Sequence, residues 1–195
     1  MKQRKADVLR KTKETKVSIG LNLDKPVPVK VRTTVPFVDH MLTLLAHHAA
    51  VSLIVEASGD TEIDDHHLVE DIGITLGQAL KKALGSKKSI NRYGNFLLPM
   101  DEALSYVAID ISGRPYLDYK VKYSPGNRGF DFGLFKEFFY AVAINGGLTL
   151  HIKQKSGENN HHIAESVFKG FGRALRQAVA LNNKQKGVPS TKGKL

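Results

Sequence analysis

Two stretches of this chain repeat each other at a fixed offset, and that duplication narrows the folds open to it. Shifting the sequence by 95 positions (161 − 66) superposes His66 on His161, His67 on His162 and Glu70 on Glu165. The same shift pairs Leu68 with Ile163, Ile72 with Val167, Leu76 with Phe171, Gly77 with Gly172, Leu80 with Leu175 and Ala83 with Ala178. The apolar pairs recur every three or four residues, the spacing of an amphipathic helix. Each copy therefore predicts a long helix with His-His-x-x-Glu in its first turns. The first starts near Asp64 or Asp65, both good N-caps, and runs to Leu84 with Gly85 as its C-cap; the second runs from about Asn160 to Ala180.

The flanking pattern repeats as well. Residues 15–23 and 29–35 read as strands separated by a turn at Asp24-Lys25-Pro26, Phe37 to Ala50 as a helix, and Val51 to Ala57 as a strand. Later, Leu104 to Ile111 and Tyr116 to Tyr123 read as strands, Phe132 to Ile144 as a helix and Leu148 to Gln154 as a strand. The fold class is thus α+β, an internal duplication of a β-β-α-β-α unit in which each half packs a sheet against two helices. Residues 1–95 form the first repeat with a basic N-terminal arm. Residues 96–195 form the second with a basic C-terminal tail, and the two make one functional domain.

Composition restricts the chemistry. There is no cysteine, so disulfides and thiolate-bound zinc are excluded and any metal must rest on histidine and carboxylate. No apolar run approaches the ~18 residues of a membrane span. No apolar stretch follows the basic Met1-Lys2-Gln3-Arg4-Lys5, so no secretory signal is expected and a cytoplasmic location is the default. The formal net charge of +10 attracts anions, but much of the excess lies in residues 2–16 and 184–194 and does not by itself choose a partner.

Helix geometry says how the paired motif could hold metal. Positions i and i+4 lie ~40° apart around the axis, and i and i+1 lie ~100° apart. His66 and Glu70 can share one ion, while His67 points to another; the same holds for His161 with Glu165, and for His162. Two repeats facing each other would make two sites, His66–Glu70–His162 and His161–Glu165–His67. Such mixed imidazole and carboxylate sets suit Mn, Fe, Zn or Co. His40 is the natural further ligand from the shorter helix of the first half. His151 is as readily a strand residue as a ligand, and His47 reads as a surface or packing residue. The stripes Ile72-Leu76-Leu80 and Val167-Phe171-Leu175 are core.

Arg92 and Arg114 sit in glycine-containing turns at element ends, where a guanidinium can clamp a phosphate in a bidentate manner. Lys169 lies two turns beyond His161. The segment Pro189-Ser190-Thr191-Lys192-Gly193 offers hydroxyls, amides and an ammonium, although composition alone predicts an unstructured tail. Glu14 reads as an exposed glutamate.

Taken together, several stretches resemble the imidazoleglycerol-phosphate dehydratase family. They are Asp39-His40-Met41-Leu42, Asp64-Asp65-His66-His67-Leu68-Val69-Glu70-Asp71, Pro99-Met100-Asp101-Glu102-Ala103-Leu104, Ser112-Gly113-Arg114-Pro115, Asn160-His161-His162-Ile163-Ala164-Glu165, Phe168-Lys169 and Pro189-Ser190-Thr191-Lys192-Gly193. The resemblance spans nearly the whole chain. It implies a duplicated unit like the second domain of ribosomal protein S5, with helices packed between two four-stranded sheets. It implies a 24-subunit shell with two manganese ions per active site at subunit interfaces. It also implies dehydration of D-erythro-imidazoleglycerol phosphate to imidazole-acetol phosphate, in histidine biosynthesis, through a metal-bound imidazolate.

By this resemblance one ion takes His40, His67, His161 and Glu165, and the other takes His66, Glu70, His162 and a fourth ligand. Many family members carry histidine before the Phe-Phe of the second short helix, where this chain has Glu137, the repeat-equivalent of His40. Glu137 is expected on or near the second ion, with His151 or water as alternatives. Glu14 is the acid/base candidate and His48 a substrate contact. Arg92, Arg114, Lys169, Ser190, Thr191 and Lys192 would contact the phosphate end of the substrate. Glu14 and the ligand residues His40, His66, His67, Glu70 and His161 would also border the substrate. The competing readings are a basic RNA-binding protein of the ribosomal fold and a di-metal hydrolase. The first lacks a basic-plus-aromatic array in mid-chain; the second would not select imidazole. No nucleic-acid or membrane partner is expected.

Overall fold

The computed structural model describes residues 3–125 and 129–195, so Met1 and Lys2 of the basic N-terminal stretch lie outside the described residues. Its elements run β1 (Lys5–Lys11), β2 (Thr15–Asn22), β3 (Val29–Arg32), α1 (Pro36–Ala49), β4 (Ser52–Gly59), α2 (His66–Leu84), β5 (Tyr93–Met100), β6 (Ala103–Asp110), β7 (Tyr116–Lys120), α3 (Leu134–Gly146), β8 (Thr149–Ser156) and α4 (Asn160–Val179). Two four-stranded sheets result, in the orders β1-β2-β4-β3 and β5-β6-β8-β7. Within each, two antiparallel pairings are followed by one parallel pairing, β3 with β4 and β7 with β8. A parallel pair needs a crossover, and α1 and α3 supply it.

The sheets enclose the helices. α2 lies on the first sheet and α4 on the second, while α2 packs on α3 and α1 on α4. Each helix pair thus joins one repeat to the other, and the buried apolar residues of both repeats form one continuous core. Five phenylalanines, Phe135, Phe138, Phe139, Phe168 and Phe171, are its largest fully buried side chains.

Two equivalent glycines set the helix separation. A methyl group at Gly77 would lie 2.8 Å from the Val142 carbonyl oxygen and 2.9 Å from the Asn145 Cβ. One at Gly172 would lie 2.6 Å from the Leu45 carbonyl oxygen and 3.0 Å from the His48 Cβ. Leu45 and His48 on α1 therefore answer to Val142 and Asn145 on α3, an offset of 97 (142 − 45) in the short helices.

Two strands, β1 and β5, escape the sequence pattern, which gives three strands per half where the structure has four. Lys-Ala-Asp-Val-Leu-Arg-Lys is mostly polar and turns only Ala6 fully inward. β5 contains Gly94 and Pro99; a Cβ at Gly94 would collide with the backbone of α4 at Ala174, so this strand rests directly on the helix. β5 begins at Tyr93 and so straddles position 95. The tail is also more ordered than its composition predicts: the Ser89 amide donates to the Gly187 carbonyl (2.8 Å), and the Arg92 guanidinium to the Pro189 carbonyl (3.0 Å).

Overpacking these helix crossings should be costly. Gly77→Ala and Gly172→Ala should each destabilise the protein by about 1–3 kcal/mol, and by similar amounts. Denaturant unfolding checks this, and wild-type stability in both variants would contradict the close approach.

Candidate metal centre

Each His-His-x-x-Glu motif opens a long helix, and equivalent side chains hold the two starts. Asp64 Oδ1 accepts the His66 amide (2.8 Å), and Asn159 Oδ1 accepts the His161 amide (2.9 Å). Such bonds satisfy amides that have no partner within the helix. The first His and the Glu then share a face, as the helical spacing requires. His161 Nε2 lies 3.1 Å from Glu165 Oε1, and His66 Nε2 lies 3.8 Å from Glu70 Oε2.

The packing of α1 on α4 adds a residue from the other repeat. His40 Nε2 lies 2.8 Å from the same Glu165 Oε1. His40, His161 and Glu165 each offer one donor atom, and the three atoms lie within 4.8 Å of one another. Among the described residues this is the one such cluster. Two imidazole nitrogens and a carboxylate oxygen form a donor set that fits a divalent transition metal. Lys169 takes the other carboxylate oxygen, its Nζ donating to Glu165 Oε2 at 2.7 Å and touching Met100 Sδ at 3.3 Å. Burial opposes ionisation of Glu165, but the bonds from Lys169, His40 and His161 outweigh it and hold the carboxyl at about 2.

The remaining motif residues are not brought into this cluster within one chain. His67 turns its Nδ1 to Asp60 Oδ2 at 3.0 Å, with Glu14 Oε2 3.9 Å away. His162 turns its Nδ1 to Glu102 Oε2 at 2.7 Å. These carboxylates raise the pKa of both rings, chiefly through those hydrogen bonds, and the His162 bond holds Glu102 at about 2. Glu137 occupies on α3 the place of His40 on α1 by the offset of 97, is half-buried, and has no hydrogen bond or ion pair among the described residues. His151 stands on β8 between the inward Leu150 and Ile152, so it faces away from the helices, 3.4 Å from Asp118. His47 is exposed.

His48 is half-buried, with its Nδ1 enclosed and unpartnered. Its pKa is lowered, first by burial and then by Arg173, His47 and Lys169. Of the phosphate candidates, Arg92 is largely committed: its Nε and one terminal nitrogen donate to Asp110 at 2.7 and 3.0 Å, and the other donates to the tail at Pro189. Arg114 is well exposed and 4.0 Å from the same Asp110. Ser190 and Lys192 are joined by a bond from the Lys192 amide to Ser190 Oγ (3.2 Å), with Thr191 exposed between them.

Sequence reasoning gave no role to Asp60 or Glu102. The available signals were position and, for Glu102, its place in the stretch Pro99 to Leu104 that carries the resemblance: Asp60 comes straight after β4, and Glu102 straight before β6.

Fold and site define a class: a duplicated α+β frame whose helix starts carry a histidine and carboxylate donor set, as in metal-dependent enzymes. The chain belongs to the imidazoleglycerol-phosphate dehydratase family of hydro-lyases, whose profile matches residues 33–175. It is 61% identical over 193 residues to imidazoleglycerol-phosphate dehydratase of Endomicrobium trichonymphae, covering 99% of each chain. The fold superposes on the crystal structure of the Staphylococcus aureus enzyme with a TM-score of 0.83 at 43% identity, covering 91% of this chain and 99% of that one. It superposes on the Pyrococcus furiosus enzyme in complex with (S)-C348 with a TM-score of 0.84 at 42% identity, covering 96% of this chain and 100% of that one.

The Glu165 contacts set an acid limit on the metal-free fold. The folded-state value lies below the ordinary 4.5, so the contacts stabilise the protein above that pH and are lost as pH falls from 4.5 towards 2. Glu165→Gln should melt below wild type at neutral pH, and the gap should narrow through that window in metal-free protein. A gap that stays constant with pH would remove the assignment.

Proposed function

We propose that this chain eliminates water from D-erythro-imidazoleglycerol phosphate to give imidazole-acetol phosphate, a step of histidine biosynthesis carried out in the cytoplasm. The observation that carries the reading is the convergence of His40 and His161 on one oxygen of Glu165, in a chain of this family. We propose two Mn²⁺ ions per active site. His40, His67, His161 and Glu165 would hold one; His66, Glu70, His162 and Glu137 would hold the other. When bound, such ions supply Lewis-acid polarisation of the substrate's imidazole nitrogens, which makes the neighbouring carbons reactive.

The other roles belong to side chains. The proton on C2 is not acidic by itself and needs a positioned base. Glu14 is exposed on the turn before β2, and its carboxylate takes that proton. That turn is fixed from below: buried Asp71 on α2 bonds Thr15 Oγ1 and Arg10, and Thr12 Oγ1 accepts the amides of Glu14 and Thr15. His48 borders the substrate. Arg114, the two uncommitted N–H groups of Arg92, Lys169 and the tail hydroxyls and ammonium of Ser190, Thr191 and Lys192 hold the phosphate. Anchoring a remote phosphate orients the reacting carbons.

The reading implies assembly. In one chain His67 does not join His40, His161 and Glu165, and His66 with Glu70 does not meet His162. A second copy supplying the missing ligands completes both sites, and a 24-subunit shell is the proposed arrangement. The two repeats act as one unit, since His40 comes from the first and His161 with Glu165 from the second. No helix among the described residues is long and apolar enough to cross a membrane.

The test is turnover of imidazoleglycerol phosphate by the manganese-loaded protein, followed by product formation. Chelation should abolish activity and Mn²⁺ should restore it. Glu14→Gln should keep metal content and assembled mass but lose turnover by about 10²–10⁴-fold. Normal turnover in that variant would remove Glu14 as the base, and full activity without metal would remove the metal-dependent reading. Inhibition by imidazole-bearing phosphates, but not by other phosphate monoesters, separates this reaction from hydrolysis.

A further inference from the structure

The second histidine of each motif is held by a carboxylate at the ring nitrogen Nδ1. His67 Nδ1 meets Asp60 Oδ2 at 3.0 Å, and His162 Nδ1 meets Glu102 Oε2 at 2.7 Å. An ionised carboxylate only accepts hydrogen bonds, so in a neutral ring the proton sits on Nδ1 and the lone pair on Nε2. Both carboxylates are themselves fixed. Asp60 is held by burial and by His67 alone, its other oxygen being enclosed and without a hydrogen-bond partner among the described residues. Glu102 Oε1 accepts the backbone amides of Asn159 (2.9 Å) and Glu158 (3.3 Å), just before the helix that carries His162.

The two repeats reach this arrangement from different places. An offset of 88 (102 − 14) lays the inward Ile19 and Leu21 of β2 on Val107 and Ile109 of β6, and puts Glu14 on Glu102. The strand offset of 97 (149 − 52) that lays β4 on β8 puts Asp60 on Gly157, which has no side chain. In the second repeat the turn glutamate is therefore the only one of these two positions with a carboxylate, and His162 binds it. In the first repeat Asp60 holds the histidine, and Glu14 stays beyond hydrogen-bond reach at 3.9 Å.

We infer that Asp60 and Glu102 are positioning residues that fix the tautomer and orientation of His67 and His162, presenting Nε2 of each to the proposed metal sites, and that Asp60 thereby leaves Glu14 free for proton transfer. The inference rests on the metal-dependent reading above. Partners of this kind orient a ligating imidazole and raise its basicity, and losing one typically costs 10–100-fold in metal affinity.

The experiment is a Mn²⁺ titration of the assembled protein, with free ion read by electron paramagnetic resonance and with assembled mass and melting temperature measured alongside. Asp60→Asn and Glu102→Gln preserve shape and should each weaken binding about 10-fold; Asp60→Ala and Glu102→Ala should approach about 100-fold. If the alanine variants do not assemble, the isosteric pair decides. Wild-type affinity in correctly assembled isosteric variants would overturn the inference. Glu14→Gln should bind Mn²⁺ as wild type does; a loss matching that of Glu102→Gln would overturn the division of labour between the two glutamates. A wild-type protein that binds no Mn²⁺ would instead overturn the metal reading itself, which separates the two failures.

Discussion

At Gly172 the backbone of α4 comes so near α1 that a single methyl group would lie 2.6 Å from the Leu45 carbonyl oxygen. The site depends on that approach. His40 lies on α1, His161 and Glu165 lie on α4, and only the crossing of these helices brings the His40 ring to the Glu165 oxygen. Interiors are close-packed and transmit displacement, so the separation set at the glycine fixes the geometry of the His40, His161 and Glu165 cluster further along the same pair. Gly77 does the same for α2 and α3, the helices that carry His66, Glu70 and Glu137.

The duplication is kept in the packing and in the His-His-x-x-Glu motif itself, and is broken at polar positions around that motif. Apolar partners such as Ile72 with Val167 and Leu80 with Leu175 are buried in both halves. Other polar partners differ: His40 answers to Glu137, His48 to Asn145, and Asp60 to Gly157. Beneath the turns, Asp71 bonds Thr15 and Arg10, whereas its counterpart Ser166 bonds Ser105 at 2.6 Å. The Asp71 carboxylate thus braces the turn that carries Glu14, while the serine pair of the second repeat lies farther along its strand, where Ser105 takes the place of Val17 by the offset of 88. A frame with near-symmetric packing therefore presents two unlike edges to one site.

How much of this was legible in the sequence follows the strength of each physical signal. The four helices could be read because an amphipathic face imposes a period over many residues, as from Leu68 to Leu84. β1 and β5 could not, because a sheet-edge strand such as Lys5–Lys11 buries few side chains and because Gly94 and Pro99 read as breakers. The pairing of His161 with Glu165 was legible because it lies within one helix. The contacts of His67 with Asp60 and of His162 with Glu102 join a helix to a loop or turn whose path depends on strand pairing, which no local pattern records. The tail was misread for a similar reason: its order comes from Arg92 and Ser89, distant in sequence.

Lys169 ties the two ends of the proposed site together. Its ammonium holds Glu165 Oε2, which leaves Oε1 alone to face both the His40 and His161 rings. A carboxylate pinned in this way offers one oxygen rather than two, and a buried ion pair of this geometry resists rotation because breaking it would strand a charge. Lys169 is also among the groups proposed for the substrate phosphate. A phosphate drawing on that ammonium would compete with Glu165 for it, so phosphate binding at the proposed site would be coupled to the Glu165 carboxylate through one side chain.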